Sequence, residues 1–381
     1  MATTVNLLNP AGLRVVLVLQ GGGALGAYQA GVYHALHEHD LAPDWVVGTS
    51  IGAINAAILA GNRQPDRLSR LKQFWDRVAH SDSIDMARVP DAQRRSNIWL
   101  QTMDTIVRGV PGFFSPRLFN PFALGMPVAP EQASFYETGQ LAATLEELVD
   151  FDYLNEPGGM RLTVNALKVK CGSLVSFDSL NGDLHADHVR ASGALPPGFP
   201  PVRIDGELYW DGGLYSNTPL ETVLDDRSSA NTLCFMVDLW SADGPEPGSL
   251  DEVQTRQKDV MFASRSKRHL DDYVTMRQLQ HKLLAMYAAL PEQDKHAQDA
   301  RDLEALGCGT TLHVVRLPYA GRDWHMAAKD INFSKGSIAW RWDQGYQDAT
   351  RALAAAGWLA AVSDDTPLVL HELTPGVVQP A

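Results

Sequence analysis

Cysteine is scarce in this 381-residue chain: Cys171, Cys234 and Cys308 are the whole set, and they lie far apart. An odd, scattered trio supplies neither a disulfide framework nor a C-x-x-C pair for zinc or redox work, so a reducing, cytoplasmic setting is expected. Positive charge is also short. The 32 Lys and Arg face 45 Asp and Glu, for a formal charge of −13. A surface of that sign repels nucleic acid and gains nothing from anionic lipid headgroups, so any transient membrane contact has to be apolar and local. No apolar run approaches the ~18 residues of a membrane span. The segment Met1 to Pro10 has neither the basic start nor the apolar length of a signal peptide. Internal repeats and low-complexity blocks are missing too. What is present is 45% hydrophobic residues, ample for a large core in one domain or two. The pattern is silent on oligomeric state.

The chain opens with a loose tail, residues 1–12. Arg14-Val15-Val16-Leu17-Val18-Leu19 then reads as a strand buried on both faces, the pattern of a central parallel strand. A glycine cluster and a helix through about His37 follow, then a second short strand, Asp44-Trp45-Val46-Val47, and a helix of small apolar residues from Ala53. Strand, helix, strand, helix within about fifty residues is an α/β opening. Residues 65–160 read as a helical and irregular insertion, with helical spacing at 71–78 and 141–148. Strands are expected again at 161–166, 208–210, 232–238 and 311–317. Ser241 to Gly248 looks like a linker, followed by one long charged helix over about 250–289 and a final helix near 337–356.

Three motifs carry chemistry. Ser50 is the centre of Gly48-Thr49-Ser50-Ile51-Gly52, a G-x-S-x-G turn between strand and helix that would lift the hydroxyl clear of the sheet. Gly21-Gly22-Gly23-Ala24-Leu25-Gly26 follows the first strand and opens a helix, where exposed N–H groups bind negative charge. It also fits the G-x-G-x-x-G dinucleotide fingerprint, which makes a nucleotide-binding regulator the rival class. That fingerprint requires an acid near the end of the second strand. Here Asp44 is at its start, and Ser50 occupies the end. Asp211, in Tyr209-Trp210-Asp211-Gly212-Gly213, ends an apolar strand, where a carboxylate can face the ligand crevice and serve as base to a serine. Taken alone, Asp-Gly is an ordinary turn.

In this order the three motifs resemble the patatin-like lipid acyl hydrolases, as does Ala191 to Pro201 just before the aspartate strand. The resemblance covers about residues 13–225. It implies an α/β/α sandwich around a mostly parallel central sheet. It further implies Ser50 as nucleophile, Asp211 as proton acceptor, and Gly21, Gly22 and Gly23 as the oxyanion loop. In that loop the Gly22 and Gly23 amides would donate and Gly21 would shape the turn. Gly26, Gly48, Gly52, Gly212 and Gly213 complete the motifs. Leu25 departs from the Arg or Lys common at that position, which removes one source of affinity for a phosphate. Residues 241–381 resemble a largely helical extension found on bacterial members, with Asp330 to Ser334 and the Trp340–Tyr346 run as markers, expected to pack on a catalytic domain at 13–240.

The expectation is therefore a hydrolase that cleaves carboxylic esters of lipids by a Ser–Asp dyad, with no metal or organic cofactor. A short-chain esterase, thioesterase or polyester-oligomer hydrolase would use the same residues. A triad would add a histidine from His269, His281, His296, His313, His325 or His371, all of which follow the aspartate. His185 and His188 form a two-ligand spacing without further ligands. The aromatic, proline-rich stretch from Pro111, extending to about residue 127, reads either as a lid over the site or as a buried irregular loop.

Overall fold

The structure, a computed structural model, describes residues 12–80, 101–226, 230–263, 266–320, 327–355 and 367–372, with side chains excepted at 266–271. Most of the expected tail, His325 and the His269 side chain lie outside these residues.

Eleven strands are described: β1 (Arg14–Leu19), β2 (Trp45–Gly48), β3 (Ser115–Pro116), β4 (Tyr136–Glu137), β5 (Arg161–Lys168), β6 (Leu174–Asp178), β7 (Val202–Ile204), β8 (Glu207–Asp211), β9 (Thr232–Asp238), β10 (Leu312–Pro318) and β11 (Leu368–Glu372). Nine form one sheet in the order β11-β10-β9-β1-β2-β5-β8-β7, with β6 also on β5. From β11 to β5 every pairing is parallel. β6, β7 and β8 are antiparallel to their neighbours. β3 and β4 make a separate two-stranded ribbon.

Alternate residues of the central strands serve two apolar layers. Val15, Leu17 and Leu19 of β1 pack with α1 (Ala27–Glu38), α2 (Ile51–Ala60), α3 (Gln64–Arg77) and the helix Lys335–Ala354. Val16 and Val18 pack on the opposite side with Leu220, Val223 and Leu224, and with Tyr273 and Val274 of the helix Ser266–Ala288. This is the three-layer α/β/α sandwich, and β1 is buried on both faces because every one of its side chains except Arg14 is apolar.

The C-terminal residues do more than pack on this sandwich. β10 and β11 extend its sheet in parallel register beyond β9. The charged stretch after residue 249 is two helices, Leu250–Phe262 and Ser266–Ala288, where a single long helix was expected. The first ends where the Phe262 carbonyl accepts hydrogen bonds from the Gln20 and Asn217 side chains, a demand of tertiary structure with no local sequence signal. The helix Lys335–Ala354 crosses α1 with backbones in contact. A Cβ on Gly31 would lie 1.9 Å from the Trp342 carbonyl oxygen, and one on Gly345 2.0 Å from that of Tyr28. Around the crossing, Tyr28 Oη donates to Asp348 (2.9 Å) and Tyr346 Oη to Glu38 (2.6 Å).

This crossing gives a direct prediction. Gly31→Ala forces the two backbones apart and lowers stability by about 1–3 kcal/mol, the usual penalty of overpacking. Thermal denaturation checks it: a variant melting with the parent would mean the helices are not in backbone contact.

Candidate active site

The pairing around β5 brings the sequence motifs together. β6 occupies one edge of β5 across Thr163–Leu167. β2 and β8 therefore share the other edge, running toward each other. β2 ends with Gly48 opposite Val164, and β8 ends with Asp211 opposite Ala166. Asn165 alone separates the two strand ends. A serine just past the end of one and an aspartate at the end of the other meet there.

The end of the helix Ala186–Ser192 and the loop that follows it hold both termini. The Ser50 amide donates to the Ser192 carbonyl and hydroxyl, each at 3.1 Å. The Asp211 amide donates to the Ala194 carbonyl at 3.0 Å. Ser192 Oγ in turn donates to the Asn165 carbonyl at 2.7 Å, locking this loop to β5. Gly193, between the two clamping residues, faces Ser50 Oγ, which a Cβ there would meet at 3.9 Å.

Ser50 caps α2 with φ 56° and ψ −123°, a conformation costly for a residue with a Cβ and common at functional turns. The flanking glycines make the turn sterically feasible. A Cβ on Gly48 would strike the Gly52 carbonyl at 2.3 Å, and one on Gly52 the Leu19 carbonyl at 2.2 Å. Ser50 is partly exposed, whereas Asp211 is buried. Burial pushes the Asp211 carboxyl up to about 7, against the lowering effect of hydrogen bonds from the Gly213 amide and the Ser50 hydroxyl. The Gly213 bond is 2.7 Å long. Gly212 packs on the Asn165 carbonyl.

The glycine loop lies beside the serine: a Cβ on Gly21 would come within 3.1 Å of Ser50 Cβ. Its carbonyls are tied down. Gly21 O accepts from Asn217 Nδ2 (3.1 Å) and Trp240 Nε1 (2.8 Å). Gly22 O accepts from the Leu25 amide (3.1 Å), Ala24 O from Arg341 Nη1 (3.0 Å) and Gly26 O from Asn55 Nδ2 (3.0 Å). The Gly21 amide is spent on the Asn217 carbonyl. The amides of Gly22 and Gly23 have no acceptor among the described residues, nor does that of Ile51 at the start of α2. Fixing the carbonyls this way leaves N–H groups pointing away from them and free to receive negative charge. Gly23 has φ +55° and the Asp330 carbonyl 2.2 Å from where a Cβ would stand, so only glycine fits.

The remaining candidates lie elsewhere. Asp44 accepts from the Val15 amide at the opposite end of β2 from Ser50. His281 contacts the Thr310 carbonyl. His313 and His371 stack on each other on β10 and β11, and His188 caps its own helix by accepting from the His185 amide. Among the described residues no three His, Cys, Asp or Glu side chains could hold a metal ion. Leu25 is in the core. The stretch from Pro111 divides: Phe113 and Phe114 are buried against Phe199 and Tyr136, whereas Leu118, Phe119, Leu124 and Met126 are exposed. Sequence reading did not single out Asn165, Asn217 or Trp240, and it held Arg341 only as part of the Trp340–Tyr346 marker run, without a role. The one available signal was a polar Asn inside a mostly apolar strand, Leu162 to Ala166.

A serine elbow facing a buried carboxyl and a glycine-rich anion loop defines a class of α/β hydrolytic sites. Comparison with known proteins is consistent with it: a family model described as patatin-like phospholipase matches residues 17–224, and a second, described as patatin phospholipase, matches 260–365. The chain belongs to the patatin-like phospholipase family. It is 27% identical over 239 residues to an uncharacterized NTE family protein of Mycobacterium tuberculosis, across 62% of this chain and 32% of that one. It is 28% identical over 233 residues to the mouse patatin-like phospholipase domain-containing protein 6, across 61% of this chain and 14% of that protein. A 71-residue stretch is 32% identical to the Arabidopsis thaliana triacylglycerol lipase SDP1L, covering 19% of this chain and 9% of that one. The chain thus spans a third or less of the length of these relatives. Among solved structures, VipD from Legionella pneumophila aligns over 90% of this chain and 67% of its own, at 15% identity and a TM-score of 0.38.

The raised Asp211 carboxyl has a consequence for stability. The unfolded chain ionises it near 3.8, the folded protein only near 7. Folding is therefore unpenalised by this group below about pH 4, and stability falls as pH rises through 7. Asp211→Asn removes the penalty. It should melt above the parent at pH 8, with the gap closing by pH 4; equal melting across that range would place the carboxyl in contact with water.

Proposed function

We propose that this protein is a serine acyl hydrolase that cleaves carboxylic esters of lipids, with Ser50 as nucleophile and Asp211 as its base. The observation that carries the reading is the meeting of a strained, partly exposed serine with a buried carboxyl at one strand junction, beside two amides without acceptors among the described residues. Family membership supports the lipid-ester class.

Ser50 Oγ attacks the acyl carbonyl carbon while its proton passes to the Asp211 carboxylate. The carbonyl oxygen becomes an oxyanion facing the Gly22 and Gly23 amides, with the Ile51 amide at the helix start as a further donor. The tetrahedral intermediate collapses, the ester C–O bond breaks, and the leaving alkoxide takes the proton from Asp211. Water then attacks the acyl-enzyme, giving its proton to Asp211, and collapse returns that proton to Ser50 Oγ as the fatty acid leaves. A carboxyl that titrates near 7 is matched to both proton transfers. No step uses a metal or an organic cofactor. The three free cysteines fit residence in the cytoplasm.

Lipid reaches the site from an aggregate, and the exposed Leu118, Phe119, Leu124 and Met126 are the face we assign to it. Their segment is anchored to the loop flanking the serine: the Phe135 amide donates to the Pro197 carbonyl and the Tyr136 amide to that of Gly198. No described helix is long and apolar enough to cross a membrane.

Ser50→Ala should abolish both ester hydrolysis and fluorophosphonate labelling, and the parental rate should rise with pH through a midpoint near 7 as Asp211 ionises. Labelling mapped to another residue would overturn the nucleophile. Leu118→Asp with Phe119→Asp should slow hydrolysis of vesicle-borne lipid at least fivefold and spare a soluble p-nitrophenyl ester. Equal rates on vesicles would mean the lipid approaches from elsewhere. Acyl-chain profiling with p-nitrophenyl esters assigns the chain length.

A further inference from the structure

Two peptide units carry the free amides, and each is oriented through its carbonyl. The Gly21–Gly22 unit is held by Asn217 and Trp240. The Gly22–Gly23 unit is held by the Leu25 amide. That amide belongs to the Ala24–Leu25 unit, whose own carbonyl accepts from Arg341. A continuous chain of hydrogen bonds thus runs from a guanidinium to the Gly23 N–H. Charge at one end of such a chain polarises every peptide along it and strengthens the last donor.

Arg341 comes from the helix Lys335–Ala354 and is fully buried. Besides Ala24 it donates to the carbonyls of Asn332 (3.0 Å) and Lys329 (2.8 Å). Its fork therefore joins the glycine loop to the 329–332 segment, whose Asp330 carbonyl abuts Gly23. That segment is braced in turn by crossed ion pairs to the helix Leu250–Phe262. Lys258 reaches Asp330 at 2.8 Å, and Lys329 reaches Asp259 at 2.5 Å. Lys329 also lies over the Trp240 ring, 4.9 Å from its centroid.

We propose that Arg341 is a positioning residue for the oxyanion-binding amide of Gly23, acting through the Ala24–Leu25 peptide, and that the C-terminal third thereby completes the active site. The inference rests on the Ser50 reading above. The glycine loop carries an apolar, buried Leu25 and no cation of its own, so the charge arrives from a helix more than three hundred residues later. The bonds Arg341 makes among the described residues go to the Ala24, Asn332 and Lys329 carbonyls and not to Ser50 or Asp211, so its effect falls on the developing oxyanion and leaves substrate binding and the base alone.

The test uses the full chain, a soluble p-nitrophenyl ester, and kcat per site titrated by the fluorophosphonate, measured from pH 5.5 to 9. Arg341→Met should lower kcat by about tenfold or more, short of the 10²–10³ seen when an oxyanion donor is deleted outright. KM should stay within about twofold, and the pH midpoint should stay near 7. Arg341→Lys should recover part of the loss, since an ammonium can still reach the Ala24 carbonyl. Normalising to titrated sites removes any loss from misfolding, which a purely structural role would show instead. If Arg341→Met yields no folded protein, Lys258→Met decides: it loosens the same segment from a partly exposed position and should lower kcat with the same unchanged KM and midpoint. A parental kcat in the deciding variant, or a loss carried by KM or by a shifted midpoint, overturns the proposal while the hydrolase reading stands. An unlabelled parental protein sinks both.

Discussion

The head-on meeting of β2 and β8 along one edge of β5 is the constraint on which the site depends. Each strand brings a side chain to its own end, and Asn165 is the single residue left between those ends. Nothing about Ser50 or Asp211 makes them neighbours in sequence. Register does it, and a slip of one residue on either strand would turn a side chain to the other face of the sheet. The Ser192–Ala194 loop guards against such a slip by bonding to the backbone of both residues.

The arrangement holds groups where they are individually unfavourable. Ser50 adopts a positive φ, Asp211 is a carboxyl withdrawn from water, and two loop amides lack acceptors among the described residues. Each costs stability, and the dense packing around them supplies it. A fully buried Gln20 accepts from the amides of Leu239 and Trp240 and donates to Thr218, tying β1 to β9 directly beneath the glycine loop. The helix Lys335–Ala354 contributes to the same scaffold through the Gly31–Gly345 crossing and the buried Arg341.

Much of this was legible in the sequence. The unbroken apolar run 15–19 marked a central strand, and G-x-S-x-G and Asp-Gly-Gly marked the ends of β2 and β8 because such turns are local matters of glycine spacing. Long-range pairing was not legible. β6, β7 and β11 are short or polar enough to escape periodicity, and β11 is held by its pairing with β10, by Leu368 in the core and by Leu370 packed against it. The break at Phe262 follows from a carbonyl needed by Gln20 and Asn217, which no window of sequence reveals. The role of Arg341 was hidden for the same reason: nothing in the Trp340–Tyr346 run announces the carbonyls of Ala24, Lys329 and Asn332 that it holds.

The claim that a serine, a buried carboxyl and two loop amides converge at one strand junction is tested most directly by a crystal structure of the fluorophosphonate adduct. The account requires phosphorus bonded to Ser50 Oγ, its negatively polarised oxygen within hydrogen-bond distance of the Gly22 and Gly23 amides, and the Asp211 carboxyl adjacent to the bonded oxygen. A phosphonyl oxygen turned toward solvent, or an Asp211 carboxyl well removed from the adduct, would contradict it.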